Sequence, residues 1–548
     1  MSRTILRATD VRVTQTGWHN LTFNYTTSAA HTVLMRVFRY TSSNGRELVF
    51  DRRVPCPVGS GTLTTGDVFY LENIPTFPNQ GGNFNYQVNV EFDTTEDHGP
   101  ANAPGPVNAR TITITTNPIL TRMNDVHMVV VPHQDDETLL FAQTMAAAVR
   151  SNRVCKVVFM INAWGTTDWS RMQEAIDVLT ANNLNIPRRD IVFMGYGDWS
   201  TLEPAFNSSN HNQVFPSNRD RTFGHYTGGI FDFNFLHRRG KQAAPRLYTR
   251  NSIVGDLNDI INTYRPSEIF TTSKHEGTPN TSELHPDHRA THNFVDLVLG
   301  SLKRSLKTYS PKMNSSIVWG ATSEYPGNTS NDFLNPFAQG GNQNISIKPL
   351  IWQNRVVRTL GTNSITRSQK LNALLAYVSQ ISPGDWLSLF AKNDEYYWVK
   401  DFANIGFIST VTCSSENVST GQFARNAVNG VVSGFGDTRI IDGLNHQQEW
   451  VVSSGITGWI ELNFGENFSV KQVNLYDRLN TTDNVLSGTL SWQAAGGGAA
   501  AIAVGALPAN GARHTITFPS PVTMSRLRFD ITNSAGFNTG LAEIEVIT

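Results

Sequence analysis

Cysteine is scarce. Cys56, Cys155 and Cys413 are the only three in 548 residues, too few and too scattered for a disulfide framework or a thiolate zinc site. Charge is scarce as well: 16% of the residues are charged and the formal net charge is -1. The chain therefore offers no general attraction to phosphate backbones or anionic lipid, and neither nucleic acid nor a membrane surface is an expected partner. Long apolar runs are also missing. No stretch reaches the roughly 18 residues of a membrane span, and the N-terminal M-S-R-T-I-L-R-A-T-D lacks the apolar core of a secretory signal.

A chain of 548 residues exceeds what one core supports, so several domains are expected, roughly three. Residues 1–118 carry short alternating runs, L-T-F-N-Y, V-L-M-R-V-F-R-Y and Y-Q-V-N-V-E-F, between Gly, Asn, Pro and Ser clusters. They predict an N-terminal β-sandwich, weakly similar to fibronectin-type or immunoglobulin-like modules through L-E-N-I-P and the later Y-Q-V-N-V. From Val126 apolar strands such as V-C-K-V-V-F-M-I alternate with amphipathic helices such as N-S-I-V-G-D-L-N-D-I-I-N-T-Y. That alternation predicts a Rossmann-like α/β domain over 121–405, its mostly parallel sheet covered on both faces. Residues 411–548 return to short strands and Gly-rich turns and predict a jelly-roll β-sandwich.

In an open parallel sheet, ligands bind beyond the carboxyl ends of the strands. Val126 to Val131 reads as such a strand. It runs into Pro132-His133-Gln134-Asp135-Asp136-Glu137 and then the helical T-L-L-F-A-Q-T-M-A-A-A-V. Acids in a first helical turn are favoured by the helix dipole, so this run is also what a well-capped helix would carry. A second strand, E-I-F-T-T-S, leads to His285-Pro286-Asp287-His288, where Pro286 suits the first helical position. If the two elbows converge, His133, Asp136 and a histidine from the second supply three N/O ligands and leave a fourth zinc position open. Zinc suits these donors best, with iron, cobalt or nickel as substitutes.

These two motifs, in order and each after a strand, resemble the signatures of the PIG-L/LmbE family, metal-dependent deacetylases of N-acetylglucosamine conjugates. The resemblance spans roughly residues 124–400. Arg171 with Glu174, Gly195-Tyr196-Gly197-Asp198, and Lys370 followed by Ser379-Gln380 extend it. The resemblance implies His133, Asp136 and His288 as metal ligands, Asp135 as general base, His285 facing the developing oxyanion and Asp287 orienting it. It also implies Arg171 and Asp198 as substrate contacts. Gln134 and Asn162-Ala163-Trp164-Gly165 depart from the family pattern. The insert Thr201 to Arg250 is expected to line or cover the site, with His225 beside Tyr226 in packing or at the surface rather than in catalysis, and His292 is an alternative ligand outside the pattern.

The C-terminal segment resembles the galactose-binding-like fold of discoidin and coagulation-factor C-type domains. The likeness rests on Cys413-Ser414-Ser415, Asp442-Gly443, Glu449-Trp450, Trp459 to Leu462, Val473 to Arg478 and Leu541 to Ile544. Trp450 and Trp459 are expected in the core rather than as sugar platforms; Arg478 is expected either on a sugar hydroxyl or in a surface salt bridge. Together these readings imply a zinc-dependent hydrolase that removes N-acetyl groups from N-acetylhexosamine-containing glycans, targeted by flanking β-modules. The alternatives are a glycan-binding adhesin with a silent central domain, or an amidase for another N-acyl conjugate. The domain make-up favours an extracellular or particle-surface setting, such as a phage tail, over the cytoplasm.

Overall fold

The computed structural model describes residues 13–15, 21–27, 31–41, 45–64, 84–93, 110–116, 126–151, 153–161, 169–180, 184–186, 190–196, 202–215, 249–274, 285–318, 355–359, 364–380, 386–392, 394–435 and 445–548. The chain forms two compact units. The first comprises Met1–Thr272, His285–Phe294 and Thr359–Glu395; the second comprises Ser273–Leu284, Val295–Arg358 and Tyr396–Thr548.

Seven strands open the first unit: β1 (Val13–Gln15), β2 (Leu21–Thr27), β3 (His31–Thr41), β4 (Gly45–Cys56), β5 (Gly59–Thr64), β6 (Phe84–Asp93) and β7 (Arg110–Thr116). They build two antiparallel sheets, ordered β1-β2-β5 and β4-β3-β6-β7. The alternating runs seen in the sequence are β2, β3 and β6, as a side-chain period of two requires. The L-E-N-I-P stretch behind the fibronectin likeness lies outside the described residues.

The same unit then alternates strand and helix: β8 (Val126–Val131), α1 (Asp136–Arg150), β9 (Val154–Ile161), α2 (Trp169–Thr180), β10 (Ile191–Tyr196), α3 (Leu202–Asn207), α4 (Arg250–Tyr264) and β11 (Glu268–Thr272). Helix α5 (Pro286–Ser305) starts in it, and α6 (Arg367–Leu375) belongs to it. The four strands are parallel and stand in the order β10-β9-β8-β11. Every residue of β8 and β9 is buried, so these strands read as mostly apolar runs, broken only by His127 and Lys156, rather than alternating ones. The chain moves outward from β8 through β9 to β10, then returns to the other side of β8 to add β11. That reversal is a topological switch point, which splays the connections leaving β8 and β11 apart and opens a crevice between their carboxyl ends.

Buried ion pairs tie these layers together. Lys156 of β9 meets Asp190, which precedes β10, at 2.5 Å. Lys370 of α6 meets Glu395 at 3.0 Å, and the Glu395 carboxylate also accepts the backbone N–H groups of Gln143 and Thr144 in α1 (2.9 and 3.0 Å).

In the second unit β12 (Lys312–Ser316) pairs antiparallel with β14 (Asp394–Asp401), which neighbours β13 (Arg355–Thr359). The C-terminal module follows with β15 (Thr410–Cys413), β16 (Trp450–Val451), β17 (Gly458–Tyr476), β18 (Val485–Gln493), β19 (Ala499–Val504), β20 (Arg513–Ser534), β21 (Gly540–Leu541) and β22 (Glu543–Ile547). Its sheets are antiparallel, ordered β15-β17-β20-β18-β19 with β22 beside β17, plus the β16-β21 pair. Trp450 is fully buried among Ile460, Phe464, Leu475 and Leu541, and its indole N–H donates to the Ser415 carbonyl at 3.0 Å. Trp459 is half-buried, with the Arg528 guanidinium 4.1 Å over its ring.

Arg478 corrects both sequence expectations, for it is buried. Its Nε and Nη2 grip the Glu449 carboxylate (3.1 and 2.8 Å), while Nη1 reaches Asp483 (3.1 Å) and the Asn538 carbonyl (2.5 Å). Removing one partner of a buried pair strands the other's charge. Arg478→Met is therefore expected to destabilise the module by about 3–5 kcal/mol in urea unfolding followed by tryptophan fluorescence. Adding Glu449→Gln should recover part of the loss.

Candidate metal centre

The first elbow begins where Pro132 ends β8. His133 follows, and Asp136 and Glu137 form the first turn of α1. The second begins beyond β11, with Pro286 opening α5 and Asp287 and His288 in its first turn. Thr272, the last residue of β11, holds this second elbow: its hydroxyl donates to the His288 carbonyl at 2.9 Å, and its own carbonyl accepts from His292 Nδ1 at 3.2 Å.

The elbows converge. His133 Nδ1 lies 3.1 Å from Asp136 Oδ2 and 3.2 Å from His288 Nε2, and the triangle closes at 3.3 Å between His288 Nε2 and Asp136 Oδ2. Asp136 and His288 are buried, and His133 nearly so. Two imidazole nitrogens and a carboxylate oxygen at mutual hydrogen-bond distance cannot all be satisfied by protons: if both rings donate to the carboxylate, their own N–H groups oppose each other. A single cation in the middle satisfies all three. Donors about 2.0–2.1 Å from a tetrahedral zinc stand about 3.3 Å apart, which matches the triangle, so the residues fit a divalent metal. His285 also comes close; it forms with His133 and His288 a group whose ligand atoms lie within 4.8 Å of one another. Burial pushes the Asp136 carboxyl up, but His288 and His133 overcome it and hold the group well below the ordinary carboxylate range. It stands ionised, as a ligand must.

Asp135 behaves differently from its neighbour. An acid that merely caps a helix would bond to the backbone of the first turn; Asp135 occupies the N-cap position without any side-chain cap bond, at φ 132° and ψ −34°. Its carboxylate instead meets Arg171 Nη2 at 3.0 Å, while Arg171 Nε donates to the Gln134 carbonyl at 2.9 Å. Burial lifts its pKa from 3.8 to about 6, against the pull of the Arg171 charge. A carboxylate poised there takes protons near neutral pH.

His285 is a neutral imidazole. The backbone N–H of Asp287 donates to its Nδ1 at 3.2 Å, so the ring proton sits on Nε2. Burial, with His288 and His133 alongside, lowers its pKa to about 4. The Asp287 carboxylate lies 3.7 Å from His133 Nε2 and accepts the Leu202 backbone N–H at 3.2 Å, which also fastens the start of the insert to the site.

Comparison with known families covers the same stretch of chain. Residues 128–299 match the family model described as PIG-L, GlcNAc-PI de-N-acetylase. This segment is a PIG-L domain. Residues 404–547 match a second family, a domain of unknown function, DUF7402. No curated protein matches the chain. Among solved structures, the family 32 CBM from C. perfringens NanJ in complex with galactose is 19% identical over 26% of this chain and 96% of its own, at a TM-score of 0.21. A Streptococcus pneumoniae fucose binding module is 18% identical over 26% of this chain and 97% of its own, at 0.22. Chitosan-binding module 1 from a Paenibacillus chitosanase/glucanase is 22% identical over 26% and 98%, at 0.20.

Within the PIG-L domain the structure brings together seven of the eight residues singled out from sequence: His133, Asp135, Asp136, Arg171, His285, Asp287 and His288. Asp198 lies outside the described residues, as do Asn162 to Gly165, His225, Tyr226 and all of the insert except 202–215 and 249–250. Glu174 accepts the Ser379 backbone N–H and hydroxyl (3.0 and 2.6 Å), so these two matched features hold each other. Among the described residues, the group of candidate metal ligands does not include His292. Sequence reasoning missed Glu137 and Tyr377. Both are buried, and the Tyr377 hydroxyl donates to Glu137 Oε1. Glu137 was visible as the third acid of its run, whereas nothing local marks Tyr377.

Proposed function

We propose that the PIG-L domain is a metal-dependent N-deacetylase acting on N-acetylhexosamine-containing glycans. The observation that carries this reading is the triangle of His133 Nδ1, Asp136 Oδ2 and His288 Nε2, with edges of 3.1, 3.2 and 3.3 Å, beside the buried Asp135 carboxylate, which pairs with Arg171 rather than joining the triangle. A divalent cation held there, zinc by preference, supplies Lewis acidity that activates water near neutral pH and polarises an amide carbonyl. Asp135 takes the proton as water attacks the acetamide and returns it to the departing amine. His285 offers its Nε2–H to the oxyanion of the tetrahedral intermediate, as a neutral donor. Asp287 sits behind His133 and steadies the ligand ring. Arg171 aligns Asp135, and with Asp198 we assign it to the substrate side. The products are acetate and a free amino sugar.

The sign of the pH dependence follows. Asp135 works as the carboxylate, so kcat/KM falls tenfold per unit below its pKa, about 6 in the cation-free protein. A bound cation is a further positive charge and moves this limb lower. Arg171→Gln removes a charge that favours the carboxylate, so the limb is expected about one unit higher than in wild type. A pH–rate profile whose limb stays put or moves down contradicts the assignment of Asp135 as the base.

We divide the chain into 1–118, 121–405 and 411–548, the outer modules serving to hold the substrate polymer. In the C-terminal module Phe537 and Phe435 are 76% and 59% exposed; Glu449 accepts the Phe435 N–H, and Arg478 and Asp483 hold the Asn538 backbone next to Phe537. Exposed aromatics suit stacking on sugar rings. This feature also favours the second reading, an adhesin without turnover. Acetate release from defined N-acetylated oligosaccharides separates the two: metal-loaded protein that binds them and releases no acetate is an adhesin. An extracellular or particle-surface setting fits either. Among the described residues no helix is long and apolar enough to cross a membrane.

A further inference from the structure

The N-cap position of α1 poses a problem that Glu137 solves. A helix leaves its first N–H groups unpaired, and the N-cap side chain ordinarily satisfies one of them. Asp135 holds that position, and its carbonyl already accepts from Thr138 and Leu139 (2.9 and 2.8 Å), yet its side chain makes no cap bond. Its backbone also sits at φ 132°, where L-residues rarely go and which persists only when the surroundings hold it. What holds it is a carboxylate two residues on. Glu137 Oε2 accepts the Asp135 N–H at 3.0 Å, while Glu137 Oε1 accepts from the Thr138 hydroxyl at 2.9 Å and from Tyr377 Oη. In the usual capping box the N3 side chain bonds back to the N-cap N–H while the N-cap side chain bonds forward. Here only the backward half is present, moved to the second helical residue, and the forward half is absent.

We infer that Glu137, braced by Tyr377, is a positioning pair: it fixes the strained Asp135 backbone so that the Asp135 carboxylate is released from capping and faces the cation site. Among the described residues, the Glu137 carboxylate bonds to the Asp135 N–H, Thr138 and Tyr377 and to no atom of the ligand triangle. The inference rests on the proposed role of Asp135 as base.

The test compares Glu137→Ala, Glu137→Gln and Tyr377→Phe with wild type in three readouts: crystal structures, zinc titration, and acetate release kinetics. Glu137→Ala is expected to let Asp135 leave positive φ and to lower kcat about 100-fold, with KM and zinc affinity within about threefold of wild type. Glu137→Gln keeps an oxygen for the Asp135 N–H and an amide N–H₂ for the Tyr377 oxygen, so it should restore positive φ and bring kcat within about tenfold. Tyr377→Phe removes the brace alone and should cost about tenfold in kcat with zinc binding intact; it carries the test if Glu137→Ala fails to fold, and an unchanged kcat then overturns the inference. Retention of positive φ in Glu137→Ala overturns it, as does a parallel loss of zinc affinity and kcat that Glu137→Gln does not rescue. Wild-type protein that binds zinc but releases no acetate ends the reading of the reaction, while the Asp135 φ in Glu137→Ala still decides the positioning role.

Discussion

Asp135→Asn is expected to lower kcat for acetate release by about 10³-fold while one zinc per chain remains bound. The substitution keeps the size and planarity of the side chain and removes only its capacity to take a proton. Metal affinity is spared because the three converging atoms belong to His133, Asp136 and His288, and the Asp135 carboxylate is committed to Arg171 instead. Rate and zinc content, measured on the same preparation, check both halves. Equal losses in both would make Asp135 a ligand rather than the base.

His288→Ala should have the larger effect. It removes one of three donors and opens a side of the triangle, so zinc affinity is expected to fall by at least 100-fold, and activity at micromolar zinc to vanish. The same residue couples metal to stability. A ligand that binds only the folded state stabilises it by about 4 kcal/mol at a thousandfold excess over Kd, so wild type should melt several degrees higher with zinc than with chelator. His288→Ala should melt alike in both. Zinc-dependent melting that survives in His288→Ala would place the binding elsewhere.

The metal-site half of this account was legible in the sequence because of how parallel sheets work. Strand carboxyl ends gather ligands, β8 and β11 are largely buried strands, and a His in the elbow after each such strand is more than a helix cap requires. The order β10-β9-β8-β11 brings both elbows to one switch point, and the two motifs fall on either side of it. What the sequence did not yield were side-chain commitments made through space. The resemblance offered Arg171 as a substrate contact, and nothing along the chain says that its guanidinium, 36 positions on, also closes on Asp135. Tyr377 reaches Glu137 from 240 positions away, beyond any local pattern. The family resemblance paired Asp287 with His285; in the structure α5 starts there, and the Asp287 backbone N–H meets His285 while the carboxylate lies toward His133. Arg478 read as a sugar contact or a surface ion pair because arginines are usually exposed; only the fold reveals that Glu449 and Asp483 flank it.

Anomalous diffraction at the zinc edge, on crystals grown with one equivalent of zinc, tests the central claim most directly. One peak is predicted about 2.0–2.2 Å from His133 Nδ1, Asp136 Oδ2 and His288 Nε2 together. A fully occupied zinc held by other residues, or crystals that take up none at saturating metal, would contradict it.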